Sequence, residues 1–337
     1  MKPTKSITMK DVAKLAGVSV GTVSRVINGK SGLKPVTLTK VNAAIAELNY
    51  VPDVYARGMK TSKTDTIALI IPTIWHPFFS EFAFYVETAL SEKNYKLLLC
   101  NTNGAKKDLE YITMLQQNKV DGIIAITYNP IEDYLASSIP FVSIDRSYSE
   151  KDIVWISSDN KRGGKLAAEK LLEKGCQNFA FVGSHNTTSN ETKNRRRYFE
   201  KTVREAGKVC HIFDLEEPYE HFQEQLELFL LRHPDLDGIF TVNDYKALDT
   251  IAILEKMGKG IPEDIQIIGY DGIRYGEERE YPLSTIKQPL EDMAKKSVEV
   301  LVSIIEGQPH ASQIVLPISY IEGKTTKPNF QVEISHP

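Results

Sequence analysis

The stretch T-M-K-D-V-A-K-L-A-G-V-S-V-G-T-V-S-R-V-I-N, residues Thr8 to Asn28, decides how the N-terminal part of the chain is read. Thr8, followed three residues later by Asp11, resembles a capping box with Asp in the Glu/Gln place, so a helix is expected over Met9–Ala16. Gly17 can take the positive φ that ends a helix. Ser19 then caps a second helix running to about Asn28. Val12, Ala13 and Ala16 face inward from the first helix, Val23 and Ile27 from the second. The outer face of the second helix holds Val20, Gly21, Ser24, Arg25 and Asn28, all small or polar with one arginine. Two such helices make either an ordinary hairpin or a helix-turn-helix. The thin outer face fits entry into a DNA major groove.

Charge distribution favours the second reading. The chain has 337 residues and a net charge of −3, which alone argues against a nucleic-acid binder. Yet residues 1–63 hold eleven Lys/Arg against three Asp/Glu, a charge of +8, and the remainder carries 30 basic against 41 acidic residues. A basic head on an acidic body is the footprint of a DNA-binding module attached to something that stays off DNA. Cys100, Cys176 and Cys210 are far apart and odd in number, which fits a reduced cytoplasm better than a disulfide framework. They lack CxxC spacing or a histidine pattern, so buried small hydrophobes are expected and no metal or cofactor is inferred. There is no 18-residue apolar run for a membrane span and no apolar core for a signal peptide, so a cytoplasmic location is expected.

Outward from the opening stretch, a third helix is expected from Thr37, its N-cap, to Leu48, with Val41, Ala44, Ile45 and Leu48 inside. Three helices then make a head over residues 1–49, followed by a hinge and linker over 50–64, where Asp53 caps a short helix from Val54 to Met59. From Thr66, apolar strands alternate with helices. The strand runs are Ile67–Ile71, Lys96–Asn101, Gly122–Thr127, Phe141–Asp145, Phe179–Gly183, Lys208–Asp214, Gly238–Val242, Ile265–Tyr270 and Ser284–Gln288. Helical patterns cover Phe78–Lys93, Lys106–Asn118, Lys161–Lys174, Glu191–Ala206 and Tyr245–Met257. Continuous apolar strands in β-α alternation imply parallel sheets covered on both faces. The expected architecture is therefore an all-α head plus an α/β body of two doubly wound subdomains, residues 65–160 with 290–320 and residues 161–289 with 321–337. Such folds bind ligands at the C-terminal edges of their strands. The groups at those edges are His76, Phe78, Phe79, Asp145, Arg146, Asn243, Asp244, Asp271 and Gln288, with Arg195 near the start of a helix. Carboxylates, an amide, arginines and aromatic faces suit a neutral polyhydroxylated molecule. R-G-G-K at Arg162–Lys165 lacks the spacing of a phosphate-binding loop, and no nucleophile–base set has supporting context, so catalysis is not expected.

The head reads D-V-A-K-L-A-G-V-S-V-G-T-V-S-R-V-I-N, the hinge Y-V-P-D-V-Y-A-R-G-M-K, and the body carries H-P-F-F, V-D-G-I-I, S-I-D-R, S-D-N-x-x-G-G, N-D-x-x-A-L, I-G-Y-D and S-T-I-K-Q-P. On these motifs the chain is identified as a member of the LacI/GalR (lactose-repressor/galactose-repressor) family of bacterial transcription regulators. The resemblance runs over residues 7–326. It implies a homodimer on a palindromic operator and a body similar to periplasmic sugar-binding proteins. It assigns DNA contacts to Thr8, Ser19, Val20, Gly21, Thr22, Ser24, Arg25 and Asn28, and to Ala56 and Met59 of the hinge. Met59 stands where the family inserts a leucine between central base pairs from the minor groove, and a thioether can still wedge a base step. Asp53 replaces the usual Asn, which puts a phosphate contact there in doubt. In the pocket, the resemblance assigns Phe78, Phe79, Asp145, Arg146, Arg195, Asn243, Asp271 and Gln288 to a sugar. His76 replaces an Asn common before Pro-Phe-Phe, and Tyr198 stands where the family usually has glycine. By spacing alone, Arg196 or Arg197 could take the place of Arg195. The implied function is a regulator, expected to be a repressor, of a carbohydrate-utilisation operon responding to a sugar-like effector. The alternative is a catabolite-control-type regulator whose main signal is a phosphorylated carrier protein.

Overall fold

The computed structural model describes residues 7–51, 63–102, 105–131, 134–135, 139–148, 153–188, 190–276, 279–280 and 282–328. The chain divides into two compact units, Met1–Thr64 and Asp65–Pro337. The expected hinge helix, with Asp53, Ala56 and Met59, lies outside the described residues.

In the first unit, α1 spans Met9–Ala16, α2 Val20–Ile27 and α3 Pro35–Glu47. Oδ2 of Asp11 accepts from the Thr8 amide at 2.8 Å and from the Thr8 hydroxyl at 2.7 Å, which fixes the start of α1. Gly17 ends it at φ 65°, a left-handed conformation that glycine adopts without steric cost. Oγ of Ser19 accepts from the Thr22 amide at 3.1 Å and caps α2. The third helix starts earlier than expected. Lys34 is its N-cap and Pro35 its first residue, because proline's fixed φ and missing N–H suit that position. Thr37 therefore lies inside the first turn, donating its amide to the Lys34 carbonyl at 2.9 Å. Val12, Val23 and Val41 are wholly buried at the centre, with Ala13, Ala16, Ala44 and Tyr50 around them and Ile27, Ile45 and Leu48 packed against them.

The second unit holds two six-stranded sheets. One has the order β13-β5-β4-β3-β1-β2 and the other β14-β12-β9-β8-β6-β7. In the first, β1 is Thr66–Ile71, β2 Lys96–Asn101, β3 Gly122–Ala125, β4 Phe141–Ile144, β5 Val154–Ser158 and β13 Gln313–Leu316, all parallel. In the second, β6 is Asn178–His185, β7 Val209–Glu216, β8 Gly238–Thr241, β9 Gln266–Asp271 and β12 Ser284–Lys287, with β14, Ser319–Ile321, antiparallel at the edge. A short pair, β10 (Arg274–Gly276) and β11 (Arg279–Glu280), lies apart from both.

Helices cover both faces of each sheet. On the first, α4 (Pro77–Glu92) and α10 (Leu290–Ile305) pack on one side through Phe82, Val86, Met293 and Val298, and α5 (Ala105–Gln117) on the other through Ile112 and Leu115. On the second, α6 (Asn160–Glu173) and α7 (Lys193–Glu205) lie on one face, α8 (Phe222–Arg232) and α9 (Asp244–Lys256) on the other. The elements β5, β10, β11, β13, β14, α8 and α10 add to those read from the sequence. Cys100, Cys176 and Cys210 are buried free thiols. Burial pushes them up to about 11, 12 and 12, so they behave as the inert apolar groups expected.

The chain passes between the sheets three times: after β5, after β12, and between β13 and β14. The last passage falls at residues 317–318, short of the boundary expected after residue 320, since Ser319 and Tyr320 already pair with Lys287 and Ile286. Pro317 cannot donate to a ladder, so the parallel strand stops there and the chain returns reversed.

Candidate functional site

On the head, Val20, Gly21, Arg25 and Asn28 are exposed along one side of α2, while Val23 faces the core. The outer face is therefore the one read from the sequence. Its two strong hydrogen-bonding groups are engaged locally. Nη2 of Arg25 donates to the Ser31 carbonyl at 3.0 Å, and Nδ2 of Asn28 to the Ser24 carbonyl at 2.7 Å. A base contact by either would exchange one of these bonds rather than satisfy an idle donor.

In the body, loops at the C-terminal ends of the strands enclose a cavity of about 630 Å³. Its centre is Arg195, the third residue of α7. This side chain is buried, and its Nε donates to Asn160 Oδ1 at 2.6 Å. Its Nη1 donates to the Val242 carbonyl at 2.8 Å and to Asp271 Oδ1 at 3.4 Å. The guanidinium lies over the Tyr270 ring, with Cζ 3.7 Å from the centroid. Nη2 has no protein partner among the described residues, which leaves a planar donor for a ligand. All three arginines of the run line the cavity; Arg196 pairs with Asp214 at 2.7 Å and Arg197 is exposed, whereas Arg195 is buried.

Two carboxylates face this guanidinium from opposite sheets. Asp145 follows β4 with φ 56°, and Asp271 ends β9 with φ 112°. Both values are unusual for a non-glycine residue, and such strain persists where the surroundings over-determine it. Asn160 Nδ2 reaches Asp145 Oδ1 at 3.4 Å, so one amide bridges arginine and carboxylate. Burial pushes Asp145 up to about 6 and Asp271 up to about 7, with Arg195 holding both back. Asp244, beside the site, is pushed up to about 8 by burial and then by the charge of Asp271. Its carboxylate does not line the cavity. It accepts from the amides of Gly272 and Ile273 at 2.8 and 2.9 Å and from the Thr285 hydroxyl at 2.6 Å, fixing the loop after Asp271.

The aromatic wall comes from the start of α4. His76 is its N-cap, with Nδ1 accepting from the Phe78 amide at 3.3 Å. Burial, and after it the positive Arg195, pull this imidazole down to about 4, so at neutral pH it keeps the lone pair the cap requires. Histidine therefore does the capping job of an asparagine and adds a ring. That ring stacks on Tyr245 of α9, with centroids 4.6 Å apart. Phe78 and Phe79 are packed edge to face behind it.

His76, Phe78, Phe79, Asp145, Arg195, Asn243 and Asp271 all line the cavity. Arg146 and Gln288, also expected there, do not. Arg146 turns the other way, donating to the Asn129 carbonyl and lying over the Tyr148 ring. Gln288 is 1% exposed. It accepts from Ser158 Oγ at 2.7 Å and donates to Asp271 Oδ1 at 2.7 Å, so it supports a site residue from behind. Sequence reasoning missed Tyr128, His185, Asn190, Asp214, Tyr219 and Tyr245 in the lining, and Asn160 behind it. The strand-end rule could have found His185 and Asp214; nothing local marks Asn190 or Tyr219.

A helix-turn-helix head on a two-sheet body with a ligand cleft between strand edges defines a DNA-binding regulator with a periplasmic-binding-protein-like sensor. Similarity to known proteins agrees. Residues 8–53 match the model of bacterial regulatory proteins of the lacI family, and residues 168–326 that of the periplasmic binding protein-like domain. The sucrose operon repressor of Streptococcus mutans serotype c is 37% identical over 320 residues, covering 94% of this chain and 98% of that one. The chain belongs to the LacI family. A periplasmic binding protein/LacI transcriptional regulator from Alkaliphilus metalliredigens QYMF, solved with D-xylulofuranose, has a TM-score of 0.71 and 32% identity over 78% of this chain and 100% of that one. The lac repressor dimer bound to operator shares the fold at TM-score 0.83 and 24% identity, covering 96% of this chain and 99% of that one.

Proposed function

We propose that the protein is a cytoplasmic homodimeric repressor of a carbohydrate-utilisation operon, releasing its palindromic operator when a neutral sugar enters the body's cleft. The observation that carries this reading is Arg195, clamped between strained Asp145 and Asp271 at the centre of an aromatic-walled cavity. Two carboxylates accept from hydroxyls, the free guanidinium edge donates to hydroxyl or ring oxygens, and the rings of His76, Phe78 and Phe79 take an apolar sugar face. The close relative named for a sucrose operon and the similar structure holding D-xylulofuranose support a sugar. Ligand contacts from both sheets favour one arrangement of the two lobes. That preference is coupled to DNA with a free energy of about 1–3 kcal/mol, and the coupling is reciprocal, so operator must weaken sugar binding by the same factor.

The test is a mobility shift on the promoter upstream of the protein's own gene, with a panel of sugars and sugar phosphates. A neutral sugar is expected to release the wild-type protein. Arg195→Ala should hold operator within a few-fold of wild type and lose all response to that sugar. Release of the variant by the same sugar would remove Arg195 from the site.

A further inference from the structure

Two residues that line the cavity from the second sheet lead straight into a seam between the lobes. Asn243, the N-cap of α9, is followed by Asp244 and Tyr245, and Asp271 is followed by Gly272 and Ile273. Asp244 stitches the two runs together, with Oδ2 accepting from the amides of Gly272 and Ile273 at 2.8 and 2.9 Å. Gly272 turns the chain at φ 73°, and it lies so close to β12 that a Cβ there would stand 2.7 Å from Lys287 Cγ. A stitched, close-packed pair of runs has little freedom to move apart from the two site residues.

Both runs end against the other lobe. Ile273 is 3% exposed and belongs to the apolar core of the first sheet, with Phe78, Phe82, Leu290 and Met293. Among the described residues it is the one buried side chain in that core that the second lobe contributes. Leu248, three residues beyond Tyr245 on α9, packs against the same core. Polar contacts flank the plug. Nε of Arg274 stands 3.9 Å from Glu81 Oε1 on α4, and the Tyr245 hydroxyl donates to the Trp75 carbonyl, just before α4, at 3.4 Å. Both are long and partly open to solvent, so water can replace them at small cost. Ile273 is different. Withdrawing it exposes apolar surface and empties a place in a close-packed core, and such a core shifts between discrete packings rather than stretching.

We infer that Ile273 is the coupling residue of the body, the plug through which a ligand's pull on Asn243 and Asp271 moves α4 and its lobe. The inference rests on the proposed sugar reading and adds a residue outside the cavity lining. Its role is to position one lobe on the other, so the quantity to measure is the coupling itself.

The probe is whichever of ribose, xylose, fructose, glucose, sucrose and maltose the full chain binds in a calorimetric titration. Its dissociation constant, measured with and without saturating promoter DNA, gives a ratio expected at roughly 5–150 for the wild type. Ile273→Ala and Ile273→Val should bind the probe within threefold of wild type in the absence of DNA, and should lower that ratio at least threefold. Ile273→Leu conserves the volume and should restore it. Val298→Ala empties a wholly buried place that the first lobe itself supplies to the core, so it should lower the melting temperature and leave the ratio alone. The valine variant decides the matter should the alanine variant fail to melt cooperatively. An unchanged ratio in the folded variant overturns the inference, and so does an equal fall in Val298→Ala. Loss of sugar binding without DNA also overturns it, by making Ile273 part of the binding site. Failure of all six sugars to bind, or a wild-type ratio of one, would sink the proposed sugar-regulated release, and this inference with it.

Discussion

Asp145 and Asp271 are charged groups in a place that resists charge, and that makes the site sensitive to pH. Their ordinary range lies near 4, and burial moves them to about 6 and about 7. A carboxyl raised in the folded state favours folding while protonated. Its contribution is fully present below about 4 and fades as pH rises through 6 to 7, so the unliganded body should lose stability across that window. Sugar hydroxyls donate best to the ionised forms, so affinity should move the opposite way. Binding at pH 8 is expected to be on the order of tenfold tighter than at pH 6, because a group titrating near 7 is about nine-tenths protonated at pH 6. Calorimetry at both pH values, in two buffers of different ionisation enthalpy, should show proton release on binding near pH 6.5. A flat affinity with no proton release would mean that the sugar leaves these carboxylates alone. At this scale the sequence was informative where side-chain direction followed from position. Asp145 enters the cleft because it directly follows its strand. Arg146, expected there too, lies beyond the left-handed turn at Asp145 and points away, which strand position alone does not foretell.

At the level of elements, the R-G-G-K segment has a structural answer. A Cβ on Gly164 would sit 2.2 Å from the Arg195 carbonyl oxygen, and one on Gly163 would sit 2.6 Å from the Tyr270 ring. The glycines let α6 lie directly on the start of α7 and on the ring beneath the guanidinium, so helix spacing sets the position of Arg195. Gly164→Ala should push the helices apart, costing about 1–3 kcal/mol of stability as an overpacked contact. It should also weaken sugar binding about tenfold, although residue 164 does not line the cavity. A melt combined with a titration checks both, and unchanged affinity in a destabilised variant would uncouple Arg195 from the spacing. The head helices were legible because their ends carry local chemistry at Thr8, Asp11, Gly17 and Ser19. The strands β5 and β14 were not. V-W-I-S-S ends in two serines whose burial depends on distant partners, Gln288 among them, and S-Y-I becomes a strand only through pairing with β12.

Over the whole molecule, the three passages between sheets are tied to one another and to the cleft. The Asp159 amide donates to the Leu316 carbonyl at 2.8 Å, joining the first passage to the third. Ser158 Oγ donates to Gln288, joining the first to the second, and Gln288 in turn donates to Asp271. Across the cleft mouth, the Thr188 hydroxyl donates to the Tyr128 carbonyl at 2.7 Å and the Glu191 amide to the Asp145 carbonyl at 2.9 Å. Any rocking of the lobes must bend the first set and break the second. Gln288→Ala leaves Asp271 with one donor fewer and two passages unlinked. It should keep operator binding and need at least tenfold more sugar for release in a mobility shift; an unchanged dose response would confine Gln288 to packing. The consequence reaches into genetics. In a selection for cells that no longer switch the operon on, Gln288 should appear among the hits as often as Arg195. A map of such hits alone would then draw the ligand one residue too deep, counting as a contact a side chain that lies behind the cavity wall.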